Sequence, residues 1–254
     1  MSKDISRLLN EWEHDPFSHV RRIVGDDGRE KIQVRVELGM LQMEVDGRPD
    51  GKRPYGMESL LDYYECQLGK YISEHDTEEG FTLDGEACED LRQEGLLYYH
   101  RYVLCFELGD YERTARDTER NARLFDFVWK YASDKKDVLS LEQFRAYIIR
   151  MNASARALKD AQSGDYDSAM GHVQEAVDRI ENLPPMDNPT FLFEKNRSLS
   201  VLKGMLKELQ SRKPPSKMDA LRKELRKAVN EERFEDAARL RDEIRKLGAR
   251  DLPG

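Results

Sequence analysis

Residues 217–247 read KMDALRKELRKAVNEERFEDAARLRDEIRKL, and this stretch decides how the chain is organised. Its apolar side chains recur at steps of three and four residues, which places them on one face of an α-helix in each of two arms. They are Met218, Leu221, Leu225, Ala228 and Val229 in the first arm, and Phe234, Ala237, Leu240, Ile244 and Leu247 in the second. The short polar stretch 230–233 predicts a turn between the arms. Residues 217–248 are therefore predicted to form a helical hairpin.

The predicted hairpin is small. Ser216 precedes the first arm and is expected to cap it. Two arms of this length are only marginally stable in water, because helix nucleation is costly and one apolar seam buries little surface. The pattern therefore predicts a hairpin that lies against another surface.

The second arm carries a family resemblance. Residues 234–244 read FEDAARLRDEI and follow a leucine-rich basic helix, and this run resembles the UVR (UvrB/UvrC) motif. That family's module is a small helical hairpin through which UvrB and UvrC associate in bacterial excision repair. It also occurs in Clp-type ATPases and in McsA-like adaptor proteins. The resemblance implies protein–protein docking. The partners it implies are another UVR-containing protein or a Clp-type ATPase, and a homodimer through the hairpin is an alternative.

The hairpin supplies the predicted protein-binding residues, namely Leu221, Leu225, Phe234, Ala237, Ala238, Leu240, Arg241 and Ile244. The alternative is that these side chains pack only against the chain's own helices. Arg241 favours docking, because on a helical wheel it falls inside the apolar arc, where an Arg extends its head to water or meets a partner carboxylate.

Composition bounds the class of protein. The 254 residues carry a net charge of -8, and 36% of them are charged. This acidic excess argues against general affinity for the nucleic-acid backbone. The segment 216–254 is slightly basic, but too weakly for DNA. There is no apolar run long enough to span a bilayer and no secretory leader pattern, so we expect no membrane association and a cytoplasmic location.

The three cysteines, Cys66, Cys88 and Cys105, stand at unrelated spacings with no CxxC pair. They predict neither a disulfide framework nor a zinc site, and free buried thiols are the expected state. McsA-like adaptors carry CxxC zinc sites beside their UVR segment, so that metal chemistry does not transfer to this chain. We expect no metal and no cofactor.

Residues 1–56 predict a short helix followed by a small antiparallel meander. Stretches 19–24 and 31–38 flank a Gly-Asp-Asp-Gly turn, and the alternation of Ile32, Val34, Val36 and Leu38 with polar residues predicts one buried face. The loop 46–56 combines three Gly, two Pro and three basic residues. It is either a tight connector or a site for an anion or acidic peptide.

Residues 57–210 predict a helical body that resembles tetratricopeptide repeats. Gly109-Asp110-Tyr111 and Gly164-Asp165-Tyr166 each join two predicted helices, with Gly ending the first helix and Asp capping the second. Ser140 and Gln143 are expected to form a capping box after a non-helical stretch at 133–139. A linker at 211–216, which contains Pro214 and Pro215, is predicted before the hairpin.

No GxSxG, HExxH, Walker or GxGxxG sequence is present. The leading hypothesis is a mainly α, non-enzymatic bacterial-type adaptor that docks through its hairpin. The alternatives are an accessory factor of DNA excision repair acting with UvrB/UvrC-type proteins, and an enzyme with an unrecognised helical site.

Overall fold

The computed structural model describes residues 4–215 and 217–248. The chain divides between Leu209 and Gln210 into two compact units. The first unit contains, in order, α1 (Ser6–Glu11), β1 (Val20–Val24), β2 (Glu30–Val36), β3 (Gly39–Glu44), a 3₁₀ turn (Pro54–Gly56), α2 (Leu60–His75), α3 (Gly85–Glu107), α4 (Tyr111–Tyr131), α5 (Lys135–Glu142), α6 (Arg145–Gln162), α7 (Tyr166–Glu181) and α8 (Pro189–Arg212), which continues across the division. The second unit contains α9 (Lys217–Asn230) and α10 (Phe234–Gly248).

The predicted fold class is confirmed: the chain is mainly helical, with a small antiparallel sheet near the N-terminus and a C-terminal helical hairpin. Among the described residues, no helix has both the length and the apolar character needed to cross a bilayer. The expected cap at Ser216 lies outside the described residues, as does the side chain of Leu247.

The sheet has the strand order β1-β2-β3, and both strand pairs are antiparallel. Its apolar face packs against α3, through Ile32, Val34, Val45, Leu104 and Cys105. A meander of three strands is stable only when such a face is covered, and α3 provides the cover.

The expectation of a single buried face was wrong in two respects. Leu38, predicted on that face, is 93% exposed because it lies in the turn between β2 and β3. The opposite face is also covered, and Lys31, Gln33 and Arg35 of β2 are buried. There Arg21 donates to the Gln33 side chain at 2.8–2.9 Å, and Gln33 donates to Gln42 at 2.9 Å, so a polar ladder crosses all three strands.

The two Gly-Asp-Tyr turns have the predicted form. Gly109 (φ 72°) and Gly164 (φ 85°) adopt the left-handed conformation that ends α3 and α6. Asp110 and Asp165 accept hydrogen bonds from the backbone N–H three residues later, which caps α4 and α7. Tyr111 is half-buried. The resemblance of the whole body to tetratricopeptide repeats stays a prediction.

The expected capping box was wrong. Residues 135–142 form α5, which begins after Asp134, whose side chain accepts from the Lys136 N–H at 2.9 Å. Ser140 lies inside this helix and donates to the Asp137 carbonyl, and Gln143 follows its last residue. A local cap signal was thus placed one helix too late.

The cysteines are free, as expected: Cys66 is half-buried, and Cys88 and Cys105 are buried. Burial raises the pKa of Cys88 to about 11 and that of Cys105 to about 12. Both thiols are therefore protonated at neutral pH and behave as small apolar side chains.

Buried ion pairs join the sheet to the helices. Arg101 and Asp117 are each 1% exposed, and the guanidinium donates to both carboxylate oxygens at 2.6 and 3.0 Å. The same guanidinium donates through Nη1 to the carbonyl oxygens of Glu44 at 3.0 Å and Gly47 at 2.7 Å. Arg101 therefore anchors the start of the 46–56 loop to α3 and α4, as a structural connector requires.

Asp117→Ala is expected to lower the free energy of unfolding by about 3–5 kcal/mol, because it leaves the Arg101 charge buried without its partner. Urea titration followed by circular dichroism measures this. The matched control is Glu119→Ala on the same helix, which removes an exposed pair with Arg156 and should cost less than about 1 kcal/mol. Equal losses in the two variants would contradict the proposed anchoring role.

Candidate functional site

The second unit has a small core of its own. Leu221, Ala228, Ala237 and Leu240 are buried between α9 and α10, and Leu225 and Ile244 pack against them half-buried. These side chains follow the three-and-four spacing of each arm, so the predicted seam is the one that forms. Two small alanines facing two leucines bury little area, and the hairpin is accordingly a marginal unit.

The turn between the arms repeats the geometry of the two body turns. The Glu232 N–H donates to the Val229 carbonyl at 3.1 Å, and the Arg233 N–H donates to the Ala228 carbonyl at 2.9 Å. This is the hydrogen-bond pattern of a Schellman motif, whose central residue is left-handed. Here that residue is Glu232, at φ 56°, where the body turns have glycine.

Exposed ion pairs surround the turn. Arg233 donates to Glu231 and to Asp236, each at 2.8 Å, and the hydrogen bonds to Glu231 and then to Asp236 raise the pKa of its guanidinium. Arg239 donates to Asp236 at 3.2 Å. Pairs in open solvent contribute little to stability, so the seam rather than these charges holds the two arms together.

The structure separates the predicted binding residues into two groups. Leu221, Leu225, Ala237, Leu240 and Ile244 belong to the seam and are buried or half-buried. Phe234, Ala238 and Arg241 are exposed on α10, with Phe234 69% exposed and the Arg241 side chain 72% exposed. These three recur at steps of four and three, so they line one flank of the helix beside the seam. We call Phe234, Ala238 and Arg241 the exposed strip.

Sequence reasoning left Val229 out of the predicted binding residues. It is the last apolar residue of α9 and is 49% exposed, and Phe234 begins α10 just beyond the turn. Because the helices run antiparallel, the rotation of each residue away from its own seam places Val229 and Phe234 on the same side of the hairpin. The exposed strip therefore continues onto α9 as an apolar patch beside the turn.

The family comparison falls on this hairpin. A family model described as the UvrB/uvrC motif matches residues 216–250. The chain contains a UVR motif. The match includes α9, the turn and α10, so the UVR motif corresponds to the second unit's helical hairpin. No curated protein matches the chain. No solved structure matches it either.

Glu232→Gly is expected to stabilise the UVR hairpin by about 1 kcal/mol, because glycine adopts the left-handed conformation without a Cβ clash. Hydrogen exchange on the full chain should show about fivefold greater protection of the α9 and α10 amides.

The matched control is Glu231→Gly, one position earlier and outside the left-handed region. It should lower the same protection, since glycine there adds only backbone freedom to the unfolded chain. A gain of equal size in both variants would contradict this explanation of the turn.

Proposed function

We propose that this chain is a non-enzymatic adaptor that docks on a protein partner through its UVR hairpin. The observation that carries the proposal is the coincidence of the UVR match with a separate helical unit whose exposed strip is apolar and basic. The partners we propose are another UVR-containing protein or a Clp-type ATPase. A second copy of this chain is the alternative occupant.

The division of the hairpin into seam and strip supports docking. An exposed aromatic ring on a small helical module is a costly feature unless a partner covers it, and aromatic and Arg side chains carry much of the energy of protein interfaces. Phe234 and Arg241 are one such pair on one flank. The seam residues then act indirectly, because they hold the two arms in register.

The charges of the strip indicate the partner's chemistry. Arg241 and Arg245 each approach the Asp242 carboxylate only to 3.7 and 3.9 Å, and both guanidinium groups are largely exposed. Neither distance gives a hydrogen-bonded pair, so both cations are available to an acidic partner. The partner surface we propose presents an apolar pocket for Phe234 with carboxylates beside it.

The double variant Phe234→Ala with Arg241→Glu is expected to abolish partner capture, because it removes the ring and places a carboxylate opposite the partner's acids. Quantitative pull-down from the source cells, with wild-type full chain as reference, measures this. Both side chains are exposed, so the helical circular dichroism signal and the melting transition should persist.

Two controls sharpen the experiment. Arg239→Glu makes the same charge change on α10, about 200° around the helix from Arg241, and should retain the wild-type partners. Leu240→Ala opens the seam and should lose both hairpin protection and capture. If the double variant keeps every wild-type partner, the strip is not the docking face.

The second candidate function is an accessory role in DNA excision repair, which the UvrB/uvrC description of the matching motif favours. Direct DNA contact would appear in a low-salt gel shift as tight, salt-sensitive duplex binding. We expect none, given the net charge of -8. Duplex binding that Arg241→Glu weakens would favour the repair function over the adaptor.

A further inference from the structure

An aromatic cavity of about 360 Å³ lies in the first unit, away from the residues of the UVR motif. Its walls come from α3, α4, α6 and α8 and from the end of α5, and its rings are Tyr99, Tyr102, Phe125, Phe144 and Tyr147. Tyr102 and Phe125 are buried at the floor, whereas Tyr99 and Phe144 are exposed at the mouth. The volume is at the lower end of ligand sites, which suits one large side chain rather than a big cofactor.

Two unpaired charges stand on the α8 wall. Glu194 and Arg197 both line the cavity, and neither has an ion-pair partner within 4 Å among the residues that the structure describes. The Oε2 atom of Glu194 is buried and has no hydrogen-bond donor. A buried carboxylate oxygen without a donor is uncommon in proteins and needs an explanation.

A third charge lies behind the rings. Arg150 is stacked on Tyr147, with its guanidinium 4.8 Å from the ring centre, and it donates only a long hydrogen bond, 3.3 Å, to the Ser198 hydroxyl. Within the described part of the chain it too has no carboxylate within 4 Å. Burial lowers its pKa from the ordinary arginine value, and the charge of Glu194 opposes that effect. Arg92, at the mouth, is instead held by Glu89 at 2.6 and 2.7 Å.

The spacing of these charges defines the ligand. Glu194 and Arg197 are three residues apart on one helix, so they are neighbours on its surface, with Cβ atoms about 5–6 Å apart. That separation suits the backbone N–H and the carboxylate of a single amino-acid residue. The rings would receive the side chain of the same residue. A cationic ligand fits poorly, because Arg150 and Arg197 would repel it.

We propose that this cavity binds the C-terminal residue of a partner protein, with an aromatic or large aliphatic side chain among the rings. The terminal carboxylate pairs with Arg197 and Arg150, and the backbone N–H of that residue donates to Glu194. This site is separate from the UVR hairpin and does not depend on docking there. It gives the adaptor a second, chemically distinct binding surface.

The probe is a fluorescein-labelled octapeptide of glycine and serine that ends in phenylalanine with a free carboxylate, titrated with the full chain by fluorescence polarisation. The same peptide with a C-terminal amide is the comparison. Loss of charged hydrogen bonds to Arg197 should weaken the amide by about tenfold or more. Equal binding of acid and amide would overturn the proposal.

Variants locate the site. Arg197→Gln should weaken the acid peptide by about tenfold, whereas Lys207→Gln, which removes an exposed charge from the same helix, should not change it. Phe144→Ala should weaken both peptides, and a melting transition measured for each variant shows that the chain is folded. If Arg197→Gln binds as tightly as Lys207→Gln, the cavity is not the site.

Two further titrations separate the occupant and the surface. N-acetylphenylalanine should displace the peptide better than free phenylalanine, since a chain end presents an N–H and not an ammonium group. Tighter displacement by free phenylalanine would make the ligand a free amino acid and refute a docking role. The Phe234→Ala, Arg241→Glu variant should bind the peptide normally, so failure here and failure of hairpin docking are distinguishable.

Discussion

The buried pair of Arg101 and Asp117 constrains the rest of the first unit. Burying two charges costs several kcal/mol per ion, and the cost is offset only when geometry and additional hydrogen bonds satisfy both groups. Here the guanidinium has four hydrogen bonds, two to the carboxylate and two to the carbonyls of Glu44 and Gly47. The end of β3 therefore has one position relative to α3 and α4. An apolar pair of the same volume would leave the two carbonyls without donors, so the charge has a specific use in this place.

Glu94 has a similar part on the other side of the same helix pair. It is fully buried and accepts from the backbone N–H groups of Leu60 and Leu61 at 2.7 and 3.1 Å, so it anchors the first turn of α2. It also pairs with Arg120. These charges are accounted for by protein groups and carry no indication of a ligand. The contrast with Glu194 and Arg197 is informative, because there the charges border an open cavity and lack such partners.

The sequence predicted local features well and distant ones poorly. The Gly109 and Gly164 turns, and the seam of the UVR hairpin, depend on residues within a few positions of one another, and periodicity and cap chemistry find them. The Arg101–Asp117 pair joins residues on two helices, and a helical pattern marks both only as surface charges. The same limit hid the aromatic cavity, whose walls come from separate segments. The error at Ser140 had another cause, since a cap-like spacing occurred inside a helix that Asp134 had already begun.

One turn geometry occurs at three places in the chain, and its surroundings decide what the aromatic residue after it does. In the body, Tyr111 follows the turn and packs edge-to-face on Phe106, with ring centres 5.5 Å apart, because further helices cover that side. In the UVR hairpin, Phe234 holds the corresponding first position of its helix and is mostly exposed. Two helices alone have no third surface to cover such a ring. A docked partner would supply that surface, which is why the side chain that stabilises the fold in the body is, in the hairpin, the anchor we propose for binding.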